Sequence, residues 1–134
     1  MFKSARRGLL VIGLLVAGWL SMASAAHADG CRSMPGHGKV CGTVHNDTGR
    51  GFHTTLQWGA EWDEPWPVRW VGPWSSLGGG DIDVDGIYVG AGCVMNGGIV
   101  SRWPWTKTIR AFNWGPGWHK IRTNDEVYVD QHGC

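Results

Sequence analysis

The chain has no C-x-x-C pair, no H-E-x-x-H and no G-x-S-x-G. Those absences set aside a reduced zinc ribbon, a zincin-type metalloprotease and the nucleophile elbow of an α/β-hydrolase. It also lacks a long apolar segment of 3.6-residue period, an internal repeat and any low-complexity tract beyond residue 28. Helical bundles and solenoids are therefore not expected. A basic run is missing there too, so the polyanion contact that nucleic-acid binding needs has no visible source.

The one uninterrupted apolar run, residues 8–20, is too short for a comfortable membrane span. It follows Lys3, Arg6 and Arg7 and precedes Ala26-His27-Ala28, the order of a secretory leader. Arg6-Arg7 also admits export through the twin-arginine route. The expected boundaries are a signal peptide over 1–28 and one secreted domain over 29–134, with no membrane contact after cleavage. Losing three basic and no acidic residues would move the formal charge from +1 to about −2, so no nucleic-acid partner is expected.

All four cysteines, Cys31, Cys41, Cys93 and Cys134, fall beyond the leader. An even count in a small exported chain reads as two disulfides. Three pairings are possible; Cys31–Cys41 as a local clip and Cys93–Cys134 as a long staple are favoured. Glycine and proline punctuate short stretches of alternating apolar residues, which points to an all-β fold: a small disulfide-stabilised antiparallel sandwich or barrel. "KVCGTVHNDTGRGFHTTLQWG" reads as strand, turn, strand about Asn46 to Gly51, and "HKIRTNDEVYVD" repeats the plan about Asn124-Asp125. "WTKTIRAFNW" admits two readings: Trp105, Ile109 and Phe112 fit one helical face, while its β-branched residues favour a strand, the preferred reading.

"GGGDIDVDGIYVGAGC", residues 78–93, opens like a calcium loop. An EF-hand needs a bidentate Glu at the twelfth position, where Gly92 stands, and two flanking helices that this composition does not favour. A two-residue hairpin turn at Asp85-Gly86 is favoured, because it puts Ile82, Val84, Ile87 and Val89 on one face. A straight strand with a bulge at Gly86 and a weak non-EF-hand cation site on Asp81, Asp83 and Asp85 both stay open. On the favoured reading the aspartates form a solvated strand face, and no metal is expected.

Tryptophan is abundant. Nine of the ten lie beyond residue 28, and Trp58, Trp62, Trp66, Trp70 and Trp74 recur every fourth residue. Pro65, Pro67 and Pro73 forbid a continuous helix there, so the even spacing returns indoles to one side of an extended segment. Each ring brings roughly 150–250 Å² of surface, more than a small core can absorb nine times over. Trp58, Trp103, Trp114 and Trp118 are the expected core occupants. Trp62, Trp66 and Trp70, with Glu61, Asp63 and Glu64 as acceptors beside them, form the expected ligand-binding face.

Catalytic residues, a cofactor and a metal site are not expected from the motifs. His45 and His53 across the first hairpin form the only imidazole pair of interest. The segment "DIDVDGIYVGAGC", following "PWSSLGGG" and a leader, resembles a pattern in uncharacterised small secreted proteins of actinobacteria. That resemblance implies secretion and small size and carries no activity. The sequence therefore leads to a secreted non-enzymatic binding domain, with a glycan or cell-surface polymer as its ligand. The alternatives are a secreted protein-directed effector (an inhibitor or small toxin with a protein partner) and a small hydrolase using Glu61, Asp63, Glu64 and Asp81 as its carboxylates.

Overall fold

The computed structural model describes residues 30–58 and 68–134. Eleven strands and no helix occur among them. β1 (Arg32–Met34) and β2 (Gly38–Val40) make a small separate hairpin. β3 (Thr43–Asn46), β6 (Ser76–Gly78), β8 (Val94–Trp103), β9 (Thr106–Trp114) and β11 (Asp125–Gly133) form one sheet in the order β6-β3-β11-β8-β9. β4 (Phe52–Thr55), β5 (Val68–Val71), β7 (Gly86–Val89) and β10 (Gly117–Lys120) form the other, in the order β10-β7-β4-β5. All described pairings are antiparallel except β11 with β3, which run parallel from Glu126 opposite Thr43 to Val129 opposite Asn46.

A single core joins the two sheets. Val44, Met95, Ile99, Val127 and Val129 come from the five-stranded sheet, and Phe52, Val71, Ile87 and Val89 from the four-stranded one. Their alternation is the sequence pattern itself: in β11, Val127 and Val129 are buried while Glu126 and Tyr128, which alternate with them, are half-buried on the outer side. The architecture is a sandwich, since the inner faces of both sheets fill one core, a layer typically about 10 Å thick. That spacing suits valine and isoleucine better than indole. No tryptophan is fully buried among the described residues. Of the expected core occupants, Trp114 is half-buried and packs against the core, Trp58 and Trp118 are half-buried, and Trp103 is 54% exposed, so tryptophan contributes to the core only from its edge.

Both expected hairpins turn out to be sheet crossings. β3 and β4 flank Asn46 to Gly51 but belong to different sheets, and so do β10 and β11 around Asn124-Asp125. Asn46 makes the first crossing possible. Its buried amide donates to the carbonyls of Arg50 at 2.9 Å and Gly72 at 2.8 Å, and its Oδ1 accepts from Thr48 N and Oγ1 at 3.1 and 2.7 Å. Each polar atom brought out of water at the crossing thus has a partner. The crossing also separates His45 from His53: the first lies on the five-stranded sheet and the second on the four-stranded one. No imidazole pair forms from them.

The aspartate stretch departs from its favoured reading. The tight turn lies earlier, where Gly79 and Ile82 exchange backbone hydrogen bonds of 2.9 and 3.0 Å around Gly80, whose φ of 64° suits the first central turn position. The chain then runs straight through Asp85-Gly86 into β7, and no hairpin forms there. Asp83 and Asp85 are 5% and 3% exposed instead of solvated. Asp83 accepts from Gly42 N and, at 3.0 Å, from Thr123 Oγ1, while Asp85 accepts from Trp58 N at 3.1 Å. Asp81 alone stays in solvent, paired with Lys39. The three carboxylates thus serve three separate sets of donors and do not converge on a cation.

Both disulfides form in the favoured pairing, Cys31–Cys41 and Cys93–Cys134, and no described cysteine is free. They fit an oxidising compartment. The second joins the turn before β8 to the end of β11, closing a sequence separation of 41.

Candidate functional site

Of the expected ligand-binding residues, Glu61, Trp62, Asp63, Glu64 and Trp66 lie outside the described residues. Trp70 is described. It sits on β5, the edge strand of the four-stranded sheet, opposite His53 of β4. Its indole lies across Gly51, where an added Cβ would fall 2.1 Å from the ring, and meets the His53 imidazole edge-on at 4.9 Å. Trp70 nevertheless remains 58% exposed. A ring held on one side and open on the other is a platform, since its position is fixed before a ligand arrives.

Trp74 is the more exposed of the two described indoles in this stretch, at 72%. It does not continue β5. The strand ends at Val71, and Trp74 lies in the connection that carries the chain across to β6. Its backbone has φ 55°, the left-handed region that a bulky side chain enters only when its surroundings require it. The requirement is visible: Trp74 N donates to Thr48 O at 3.1 Å, and Ser75 Oγ closes the same bend by donating to Gly72 O at 2.7 Å. Trp74 thus walls an open cleft of about 780 Å³ whose other sides include Asp47, Asn96, Asp130, Gln131 and His132. Asn96 Nδ2 donates to Gln131 Oε1 at 3.3 Å, tying two of those side chains together. Burial pushes the His132 imidazole below its ordinary value, against the pull of the Arg50 backbone, which favours the charged ring. The cleft therefore offers carboxylates and amides beside an indole face, while both ring nitrogens of His132 are buried behind it.

Trp103 and Trp105 occupy the tip of the β8–β9 hairpin, 54% and 86% exposed. They lie at the other end of the five-stranded sheet, beyond Ser101 opposite Asp125, whereas Trp74 lies beyond Asn46 opposite Val129. A second cleft, about 490 Å³, opens beside Trp103 and Pro104 and is bordered by Met34, Val40 and Ile121.

The outer face of the five-stranded sheet carries a polar cluster that the motif search missed. The parallel register sets Tyr128 beside His45, and β6 sets Ser76 on its other side. His45 stacks on Tyr128 with ring centres 4.5 Å apart. Its Nε2 lies 2.9 Å from Glu126 Oε1, and its Nδ1 lies 2.9 Å from Ser76 Oγ. Glu126 also accepts from Tyr128 OH at 2.7 Å and from Arg102 at 2.8 Å. Partial burial works to raise the Glu126 pKa, but the hydrogen bonds from Tyr128, Arg102 and His45 outweigh it and hold the carboxyl below its ordinary value. The same bond to Glu126, helped by burial, raises the Tyr128 phenol. The alternation in "TVHN" and "DEVYVD" already places His45, Glu126 and Tyr128 on outward positions. What it lacks is the pairing of β3 with β11 across some eighty residues.

No family model, curated protein or solved structure matches the chain.

Proposed function

We propose that this chain is a secreted binding domain whose ligand is a glycan or cell-surface polymer. The observation that carries the reading is Trp74: an indole 72% exposed, in a left-handed backbone conformation, walling a cleft rich in amide and carboxylate groups. Sugar rings present C–H faces that lie flat on an indole, and hydroxyls that need donors and acceptors around its edge. Asp47, Asn96, Asp130 and Gln131 supply those. Trp70 adds a second fixed platform on the same stretch of chain, and Trp62, Trp66, Glu61, Asp63 and Glu64 extend it in sequence. Secretion is supported by the leader-like residues 1–28 together with the two disulfides.

A glycan array run beside a pull-down from whole bacterial cells tests this. Retention on polysaccharide, competed by the free sugar, is the expected result. Capture of a single protein with no polysaccharide retention would overturn it in favour of the protein-directed effector.

A further inference from the structure

We propose that Ser76, His45 and Glu126 form a nucleophilic site that cleaves acyl esters. This goes beyond the binding reading and stands whether or not the Trp74 cleft takes a glycan. The argument starts from proton positions. An ionised carboxylate can only accept, so the contact of 2.9 Å between His45 Nε2 and Glu126 Oε1 places the proton on Nε2. In the neutral imidazole Nδ1 then carries a lone pair. With the ring neutral, the 2.9 Å contact with Ser76 has its hydroxyl donating to Nδ1. A serine O–H directed at a basic ring nitrogen, with a carboxylate fixing the opposite side of the ring, is the arrangement that activates a hydroxyl for attack. Tyr128 holds the ring from beneath by stacking, and Arg102 helps keep Glu126 ionised.

Ser76 is placed for access as well. It is exposed on β6, the edge strand of its sheet. Asn46 N donates to Ser75 O at 2.8 Å, so the bonds to β3 fall at Ser75 and the alternate residue Leu77. The Ser76 N–H therefore points away from β3, where the sheet ends, and is placed to donate to the oxyanion that develops on the substrate carbonyl oxygen as Oγ attacks. One donor instead of two predicts slow turnover.

The chemistry balances with water as the only co-reactant. Ser76 Oγ bonds to the ester carbonyl carbon while its proton passes to His45 Nδ1. The bond from that carbon to the alcohol oxygen breaks, and the leaving alkoxide takes the proton from Nδ1. Water, losing a proton to Nδ1, then attacks the acyl-serine and releases the carboxylic acid and Ser76. His45 is the base and Ser76 the nucleophile; Glu126 positions the ring.

Ser75 supplies an internal control, because its hydroxyl donates to the Gly72 carbonyl and not to a ring nitrogen. The folded protein is treated with a fluorophosphonate probe, digested without reduction and mapped by mass, and p-nitrophenyl acetate hydrolysis is followed in parallel. The expected adduct is on Ser76 and not on Ser75, absent in urea-unfolded protein, and about a hundredfold slower to form in His45→Gln. Glu126→Gln should slow it too, while Glu126→Asp restores part of the rate. No Ser76 adduct on the folded wild type, or equal labelling of Ser75 and Ser76, would overturn the proposal without recourse to any variant. So would an unchanged labelling rate in a folded His45→Gln.

Discussion

Replacing Asp83 by alanine should remove a large part of the domain's stability. As one member of a solvated strand face, Asp83 would be worth within about 0.5 kcal/mol, the usual range for a surface position. The fold places it elsewhere. At 5% exposure its carboxylate accepts from Gly42 N and from Thr123 Oγ1, bonds that span 41 and 40 residues and join the start of β3 to the crossing before β11. Hydrogen bonds to a charged group contribute about 1.5–3 kcal/mol each, and the alanine also leaves a buried backbone N–H without its acceptor. The expected loss is about 3–5 kcal/mol. For a domain of this size that lowers the thermal midpoint by about 12–20 °C. Urea denaturation followed by tryptophan fluorescence gives the free energy, with Asp81→Ala as the exposed control that should leave the midpoint in place. An Asp83→Ala midpoint indistinguishable from the control would refute the buried-bridge account and restore the solvated face.

Thiol titration of the denatured, unreduced protein should find no free thiol, and replacing Cys93 and Cys134 together by serine should cost about 4 kcal/mol, read from denaturation midpoints. Calorimetry should show no micromolar calcium binding, because Asp83 and Asp85 are engaged by backbone and hydroxyl donors on separate elements. Acid should destabilise the fold through two groups whose folded pKa lies below the ordinary one. Glu126 contributes stability that is full above 4.5 and lost as pH falls through its lower folded value, and His132 does the same from 6.5 downward. In urea midpoints against pH, Glu126→Gln should flatten the first change and His132→Phe the second. Tyr128 works in the opposite direction, since its contribution is present below 10 and lost as pH rises through its elevated folded value.

Strand content was legible because alternation is a local property. Val44 beside His45, and Val127 and Val129 around Tyr128, already separate an inner from an outer face. The even cysteine count pointed to two disulfides but left three pairings open, and the structure forms the favoured one, Cys31–Cys41 with Cys93–Cys134. Topology was not legible. Asn46 to Gly51 and Asn124-Asp125 have the composition of hairpin turns, but composition reports only that the chain bends. Whether the next strand rejoins the same sheet depends on which core face its apolar residues must reach, and here both bends cross over. The aspartates failed on the same ground. Their donors, Gly42, Trp58 and Thr123, lie between 27 and 41 residues away, so alternation alone could not tell a buried carboxylate from a solvated one. The tryptophans were only partly placed: valine and isoleucine fill the space between the sheets, Trp114 packs against that core, and Trp70, Trp74, Trp103 and Trp105 are left exposed. Of these, Trp74 belonged to the spaced series but not to the expected binding face.

The measurement that tests the central claim most directly is Trp74→Ala, assayed for thermal midpoint and for retention on purified cell-wall polysaccharide. Trp74 makes its backbone bond to Thr48 through its own N–H, which alanine retains, and its ring is mostly in solvent. The account predicts a midpoint within a few degrees of the wild type and retention reduced at least about tenfold, a loss of about 1.4 kcal/mol of binding free energy or more. Unchanged retention in the folded variant would contradict it and remove Trp74 from the binding face.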